Sequence, residues 1–230
     1  TLKKYGFDFV SLANNHSLDM GTAAFEETKK HLDAVGIAYA GRQYGVDDES
    51  SYVRSVGDAK IGFLAVNDTN TALDIQKDVV ERIAALSQKA DYVVLTIHWG
   101  VEYQPLSHPR QQAIAHAAID AGADAVIGHH PHVIQEVEVY QNAPIFYSLG
   151  NFIFDQYFSV PTQQSLGAGL VFSPQKTDVF VFPLSGVESQ VHYLHGQEAK
   201  ALLNDVRERS KIQGVDFDET LPFSFSIPHS

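Results

Sequence analysis

The chain has 230 residues, 44% of them hydrophobic and 19% charged, enough for one sizeable core or two small ones. Its formal net charge of -12 argues against a nucleic-acid partner, which would need a basic surface, and fits an acidic, solubilising exterior. With no cysteine, disulfides, thiolate catalysis and thiolate metal ligands are all excluded.

Short β-rich runs alternate with helical patterns along the chain. The predicted strands are 7–13, 59–67, 91–99, 123–129, 144–150, 167–173 and 179–184. Several are continuous apolar runs, the pattern of strands covered on both faces. The predicted helices are 21–36, with Phe25, Leu32 and Val35 on one stripe, and 75–90, with Val79, Ile83 and Leu86 together. A third, 109–122, opens on Pro109, ends at Gly122 and aligns Ile114, Ala117, Ala118 and Ala121. A fourth, 196–214, packs through Ala199, Leu202, Leu203 and Val206. Segments 45–51 and 159–169 read as surface loops, the second as a mobile flap, and the proline-broken tail as an extended strap. No apolar stretch approaches the ~18 residues of a membrane span.

Strand–helix–strand order up to about residue 130 predicts an α/β core, followed by strands without intervening helices. Three of the predicted strands end in the same chemistry: "ANNHSLD" at 13–19, "TIHWGVEY" at 96–103 and "GHHPH" at 128–132. The carboxyl ends of parallel strands gather at one edge of a sheet, so Asn15, His16, His98, His130 and His132 are expected to converge there. Neutral imidazoles and an amide oxygen suit divalent zinc, manganese or iron. In an extended segment His130 and His132 point to the same side. Read one at a time, these elements are weaker: a single His98 at a strand end is more often a hydrogen-bonded core histidine, and "NNH" is a common turn composition. Asp19, Glu102, Asn151 and Asp155 stand beside the motifs as outer support or turn residues. His31 and His116, off the apolar stripes of their helices, read as solvated, and His108, His192, His195 and His229 as bystanders.

The stretches "FVSLANNHSLDMG", "HWGVEYQPLSHPRQQAIAHAAIDAGADAVIGHHPHVIQ" and "PIFYSLGNFIFDQ" resemble the bacterial poly-γ-glutamate capsule-synthesis (CapA-type) family. That family is similar to the calcineurin-like metallophosphoesterases, and the resemblance extends to about residue 185. It implies a four-layer α/β/β/α sandwich with two metal ions at the sheet edge. Asn15, His98 and His130 would hold one ion and His132 the other, with His16 facing substrate as proton donor or phosphate contact and His129 a neighbour. The metal pair would lower the pKa of water and clamp phosphate oxygens.

The resemblance also marks a departure. The superfamily's opening acidic strand motif and its bridging second motif are absent from this sequence, so the sandwich is expected to lack its first strand or strands. The chain, opening on Thr1, reads as an excised or processed piece. On this reading 1–185 is the metallophosphoesterase-like core and 186–230 a C-terminal helix and tail packed on it. The expected function is poly-γ-glutamate synthesis, export or anchoring at the extracellular face of the bacterial envelope. Expected partners are the polymer or a phosphorylated substrate, alongside other capsule-synthesis membrane proteins. The rival expectations are a metal-dependent phosphoesterase, a hydrolase of phosphodiesters or phosphomonoesters, and a non-catalytic polymer-binding domain.

Overall fold

A computed structural model describes residues 1–69, 75–213, 215–217 and 223–229. The central layer is a six-stranded sheet in the order β3 (Ser51–Val56), β4 (Ala59–Asn67), β5 (Tyr92–His98), β6 (Ala125–His129), β8 (Ala143–Phe146) and β7 (Val137–Tyr140). Strands β4, β5, β6 and β8 run parallel, and the edge strands β3 and β7 are antiparallel to their neighbours. Helices α2 (Ile75–Leu86) and α3 (Pro109–Asp120) are the crossovers that parallel pairing requires.

Period-two alternation explains why these strands read as unbroken apolar runs. On β5, Val93, Leu95 and Ile97 enter the core shared with Val79, Ile83, Ile114 and Ala118 of the two helices. The alternate residues Val94 and Thr96, with Phe63 of β4 and Ile127 of β6, face the opposite side and line a groove. Trp99 and Tyr147 close the helix-side core, and the Trp99 indole N–H donates to the Tyr147 carbonyl at 2.8 Å. Gly128 makes that approach possible, because a Cβ there would fall on the Tyr147 carbonyl and on Trp99 Nε1.

The second large sheet is antiparallel. Its long strand β10 (Lys176–Val187) pairs along one edge with β9 (Gln164–Phe172). Along the other edge it pairs with β13 (Ser224–Pro228) and then β11 (Gln190–Tyr193), while β12 (Asp216–Phe217) adds to β13. Leu166, Val179, Val181, Phe225 and Ile227 bury against Ile134, Val137 and Phe146, and α4 (Gly196–Arg209) closes this core through Leu202, Leu203 and Val206. Among the described residues no helix is long and apolar enough to cross a membrane.

A separate pair, β1 (Phe9–Ser11) and β2 (Ala38–Ala40), runs parallel and joins neither larger sheet. The connecting helix α1 (Gly21–Val35) stops at Gly36, whose left-handed backbone (φ 67°) lets its N–H reach the Asp33 carbonyl. A two-stranded parallel ribbon is too small to stand alone. It borrows stability by stacking Phe9 on Phe63 (4.7 Å between centroids) and on Tyr52 (5.9 Å). Between β1 and the six-stranded sheet lies a groove of about 860 Å³ with Phe7, Phe9, Phe63, Val94 and Ile127 on its walls. Across the groove β1 has no second strand partner among the described residues.

Several expectations need correction. The supposed flap 159–169 is mostly strand, since β9 starts at Gln164 and hydrogen-bonds along the full face of β10. The tail packs as an extended segment that is more regular than a strap: its Ser224–Pro228 segment forms β13, with Phe225 and Ile227 in the core. Val35 is exposed rather than on the buried stripe of α1. The predicted strands do not include β2, β3, β7, β11, β12 or β13.

Candidate metal centre

Three loops at the carboxyl edge of the parallel strands build the site. The first follows β1 and is tied to itself. Asn14 Oδ1 accepts from the His16 backbone N–H at 2.8 Å, and the Ser17 hydroxyl donates to the Asn14 carbonyl at 2.7 Å and to that of Leu12 at 2.9 Å. Gln43 anchors the loop from outside by accepting from the Leu18 N–H at 2.9 Å. The second loop follows β5 and the third follows β6. The Trp99 N–H donates to the His129 carbonyl at 3.0 Å and the Tyr103 N–H to the Pro131 carbonyl at 2.8 Å, which fastens the two together.

The structure brings the anticipated residues together in two groups. Asn15 and His98 meet directly, with 2.8 Å between Asn15 Oδ1 and His98 Nε2. His130 lies beside them, its ring centroid 4.8 Å from that of His98 and 5.8 Å from that of His132. His16 sits at the rim with its Nδ1 held by Asp19 Oδ2 at 2.8 Å, while Asn15 Nδ2 lies 3.2 Å from its Nε2. A carboxylate on Nδ1 fixes the imidazole's orientation and leaves Nε2 as the working nitrogen. His129 pairs in register with His98 and lines the groove.

The second group contains a residue that sequence reasoning placed only in the outer ring. Glu102, His130 and His132 offer ligating atoms that all lie within 4.8 Å of one another. Asn151 orients His132. Its Nδ2 donates to the Thr162 carbonyl at 3.0 Å, which turns Oδ1 toward His132 Nδ1 at 2.8 Å. That bond requires a proton on His132 Nδ1, and the other ring nitrogen, Nε2, lies 3.9 Å from Glu102 Oε1. The spacing of Glu102, four residues beyond His98 in a loop that leaves a parallel strand, was the signal available in the sequence.

Electrostatics keep these imidazoles neutral. Burial, then the neighbouring imidazoles, lower the His98 pKa to about 2. Burial lowers that of His129 to about 4. Burial also lowers that of His130, against an opposing pull from Glu102. Neutral imidazole is the form that ligates a cation. His130 Nδ1 is buried without a hydrogen-bond partner. A buried, unsatisfied ring nitrogen is costly unless something binds it. The donor set, nitrogen and oxygen with one carboxylate, fits a borderline divalent ion such as zinc, manganese or iron.

Other histidines have other tasks. His108 caps α3, accepting from the Arg110 N–H at 3.2 Å while Gln111 Oε1 returns the bond at 2.8 Å. His31 is exposed, as expected. His116 is not simply solvated: it stacks on Tyr140 at 3.9 Å between centroids and meets Glu138 at 3.1 Å. Among the described residues, no lysine or arginine lines the groove that leads to the centre. An anion bound there would rely on a metal and on histidine N–H groups.

Comparison with known proteins follows the same lines. The family model described as bacterial capsule synthesis protein PGA_cap matches residues 1–156. A capsule biosynthesis protein CapA of Bacillus anthracis is 37% identical over 172 residues, 67% of this chain and 42% of that protein. The PGA biosynthesis protein CapA of Bacillus subtilis is 37% identical over 169 residues, 67% of this chain and 44% of that protein. The chain thus spans less than half the length of these relatives. A putative 5'-nucleotidase from Staphylococcus aureus superposes with a TM-score of 0.50 at 13% identity, covering 93% of this chain and 43% of the other. The shared architecture is the metallophosphoesterase-like sandwich.

Proposed function

Because the chain belongs to the bacterial capsule synthesis protein PGA_cap family, we propose that it is the metal-binding core of a protein acting in poly-γ-glutamate synthesis, export or anchoring. The observation that carries this reading is the family match over 1–156, which contains all three sheet-edge motifs. The names of the Bacillus relatives support a role in capsule making and so an association with the cell envelope; we further place it at the outer face, in company with membrane proteins of the same pathway.

A divalent ion bound at this edge supplies Lewis acidity and a lowered pKa for water. The chain's own residues do the rest. His132 and His130 present ring nitrogens, and Asn151 orients the first of them through its Nδ1. His16, steadied by Asp19, offers Nε2 to a polar group on a ligand entering from the rim. With no lysine or arginine lining the groove among the described residues, a polyanion or phosphate would be held by the metal and by histidine N–H groups.

The test is genetic. Cells deleted for the gene encoding this chain are complemented with the wild-type gene or with His132→Ala, and bound and released poly-γ-glutamate is measured. Restoration by the wild type but not by the variant supports the proposal. Normal polymer in the deletion strain refutes it. The second reading, a metal-dependent phosphoesterase, is favoured by the His16–Asp19 pair, a positioned proton carrier that polymer anchoring would not need. Metal-dependent release of phosphate from a nucleotide panel, lost in His16→Ala, would establish it.

A further inference from the structure

Backbone strain singles out one part of the site. Among the described residues, the non-glycine positions with positive φ are Tyr103, His130, His132, Gln141, Asn142, Glu188 and Ser189. Gln141–Asn142 and Glu188–Ser189 are the two-residue turns of the β7–β8 and β10–β11 hairpins, where such angles are the normal solution. The other three, Tyr103 (φ 62°), His130 (φ 98°) and His132 (φ 59°), are all at one place. They aim the side chains of His130 and His132 and bend the loop that carries Glu102. Strain of this kind persists only where the surroundings impose it, and it collects at ligand clamps.

The groups so placed do not satisfy one another. His132 Nε2 stands 3.9 Å from an oxygen of Glu102, too far for a hydrogen bond. His130 Nδ1 is buried without a hydrogen-bond partner. A carboxylate and two imidazoles that converge without satisfying one another form a donor set for a cation. Two ligands of one tetrahedral ion stand about 3.4 Å apart when each bond is about 2.1 Å. The cluster, within 4.8 Å, needs a closure of at most about 1.4 Å, to which rotation of the half-exposed Glu102 side chain contributes.

We infer that Glu102 is a metal ligand, and that Glu102, His130 and His132 hold one divalent ion within this chain, separately from the Asn15–His98 pair. This regroups the ligands expected from the sequence, which put His130 with Asn15 and His98 and left the metal without a carboxylate. Two imidazoles and one carboxylate leave open positions for water or an anionic ligand. The inference deepens the proposed function by naming the group that makes its metal site self-sufficient. It is tested by binding alone, so loss of the capsule role would not touch it, nor would its failure touch the family membership.

The experiment is titration of the metal-free 230-residue chain with zinc by calorimetry and with cobalt(II) by visible absorption. Glu102→Gln, His132→Ala and His31→Ala are titrated in parallel, with thermal melts in chelator to confirm folding. The wild type and His31→Ala are expected to take up one equivalent. Glu102→Gln is expected to lose more than the ~10–100-fold in affinity that removing an outer hydrogen-bond partner costs. Its cobalt spectrum should also change, because a donor atom has been exchanged. Wild-type affinity in Glu102→Gln overturns the inference. So does the absence of any binding, or loss of the first equivalent in His98→Ala with Glu102→Gln unaffected.

Discussion

The amide oxygen of Asn151 accepts the Nδ1 proton of His132 at 2.8 Å, and the other end of the same amide is held by the Thr162 carbonyl at 3.0 Å. The loop after β8 thus sets the tautomer of a histidine nineteen residues earlier in the chain. Replacing Asn151 by Ala frees the imidazole to turn. Metal affinity is expected to fall by about 10–100-fold without loss of the one-to-one stoichiometry. Asn151→Asp keeps an acceptor toward Nδ1 and should retain affinity better than the alanine variant. Equal affinity in Asn151→Ala and wild type, by zinc titration, would remove Asn151 from the site.

Gly128 lets β6 pass under Trp99. A methyl group there collides with backbone, the Tyr147 carbonyl, and displaces the indole N–H that bonds it. Overpacking a well-filled core costs about 1–3 kcal/mol, and more when backbone must move. Gly128→Ala is therefore expected to lower the urea midpoint well beyond the effect of Gly167→Ala, where an added Cβ comes no closer than 3.4 Å to its nearest neighbour, Phe182 Cβ. If the two variants melt alike, the close approach of β6 and Tyr147 is wrong.

Asp124 offers a pH-dependent test away from the metal centre. Its carboxylate accepts the Val93 N–H at 2.7 Å, tying the start of β6 to β5. Burial raises its pKa, with the Val93 bond pulling the other way. A carboxyl whose folded pKa is above its unfolded value contributes stability below the unfolded value, about 4, and loses it as pH rises through the folded one. Asp124→Asn keeps an acceptor without the titration. The stability of the variant relative to wild type should then rise between about pH 4 and pH 7. Urea midpoints across that range decide it, and a flat or falling difference contradicts the assignment.

His116 should behave unlike His31, although both are off the apolar stripes of their helices. It stacks on Tyr140 and bonds Glu138, a buried carboxylate that also takes the Tyr147 hydroxyl at 2.7 Å. Removing it strips one partner from a buried charge, at a cost of about 1–3 kcal/mol. His116→Ala is expected to melt earlier than wild type and His31→Ala to melt with it. Coincident melts of all three would mean that the Glu138 network contributes nothing.

What could be read from the sequence follows the length and regularity of each signal. Strand β4 was placed at both ends, and the stripe Ala199, Leu202, Leu203 and Val206 of α4 is buried in full. Three-residue β2 offers too few residues for a period, and β3 carries Arg54 on a sheet edge where a charge is no penalty. The tail's Phe223–Ser224–Phe225–Ser226–Ile227 alternates strictly, but its flanking prolines drew the reading toward an irregular strap. At the site, convergence of the three motif loops follows from strand direction. Which ligands share an ion does not, because the grouping depends on the left-handed turns at His130 and His132. Positive φ is uncommon at any single non-glycine position, so a histidine does not by itself announce such a turn.

The division of the site into two halves bears on catalysis. Asn15 and His98 are neutral and bonded to each other, and among the described residues no carboxylate joins His98 in a cluster of three ligating side chains. A second ion would have to be held there without anionic compensation, so it should bind far more weakly than the ion at Glu102, His130 and His132. In-line hydrolysis of a phosphodiester draws on both ions to clamp the attacking and leaving oxygens. The 230-residue chain, loaded with one equivalent of manganese or zinc, is therefore expected to hydrolyse bis(4-nitrophenyl) phosphate at or near the background rate. Excess metal should raise the rate only in the millimolar range, and His98→Ala should cancel that rise while leaving the first equivalent bound. Rapid turnover at one equivalent of metal, abolished by His98→Ala, would show that the halves act as one centre and that Asn15 and His98 share the first ion.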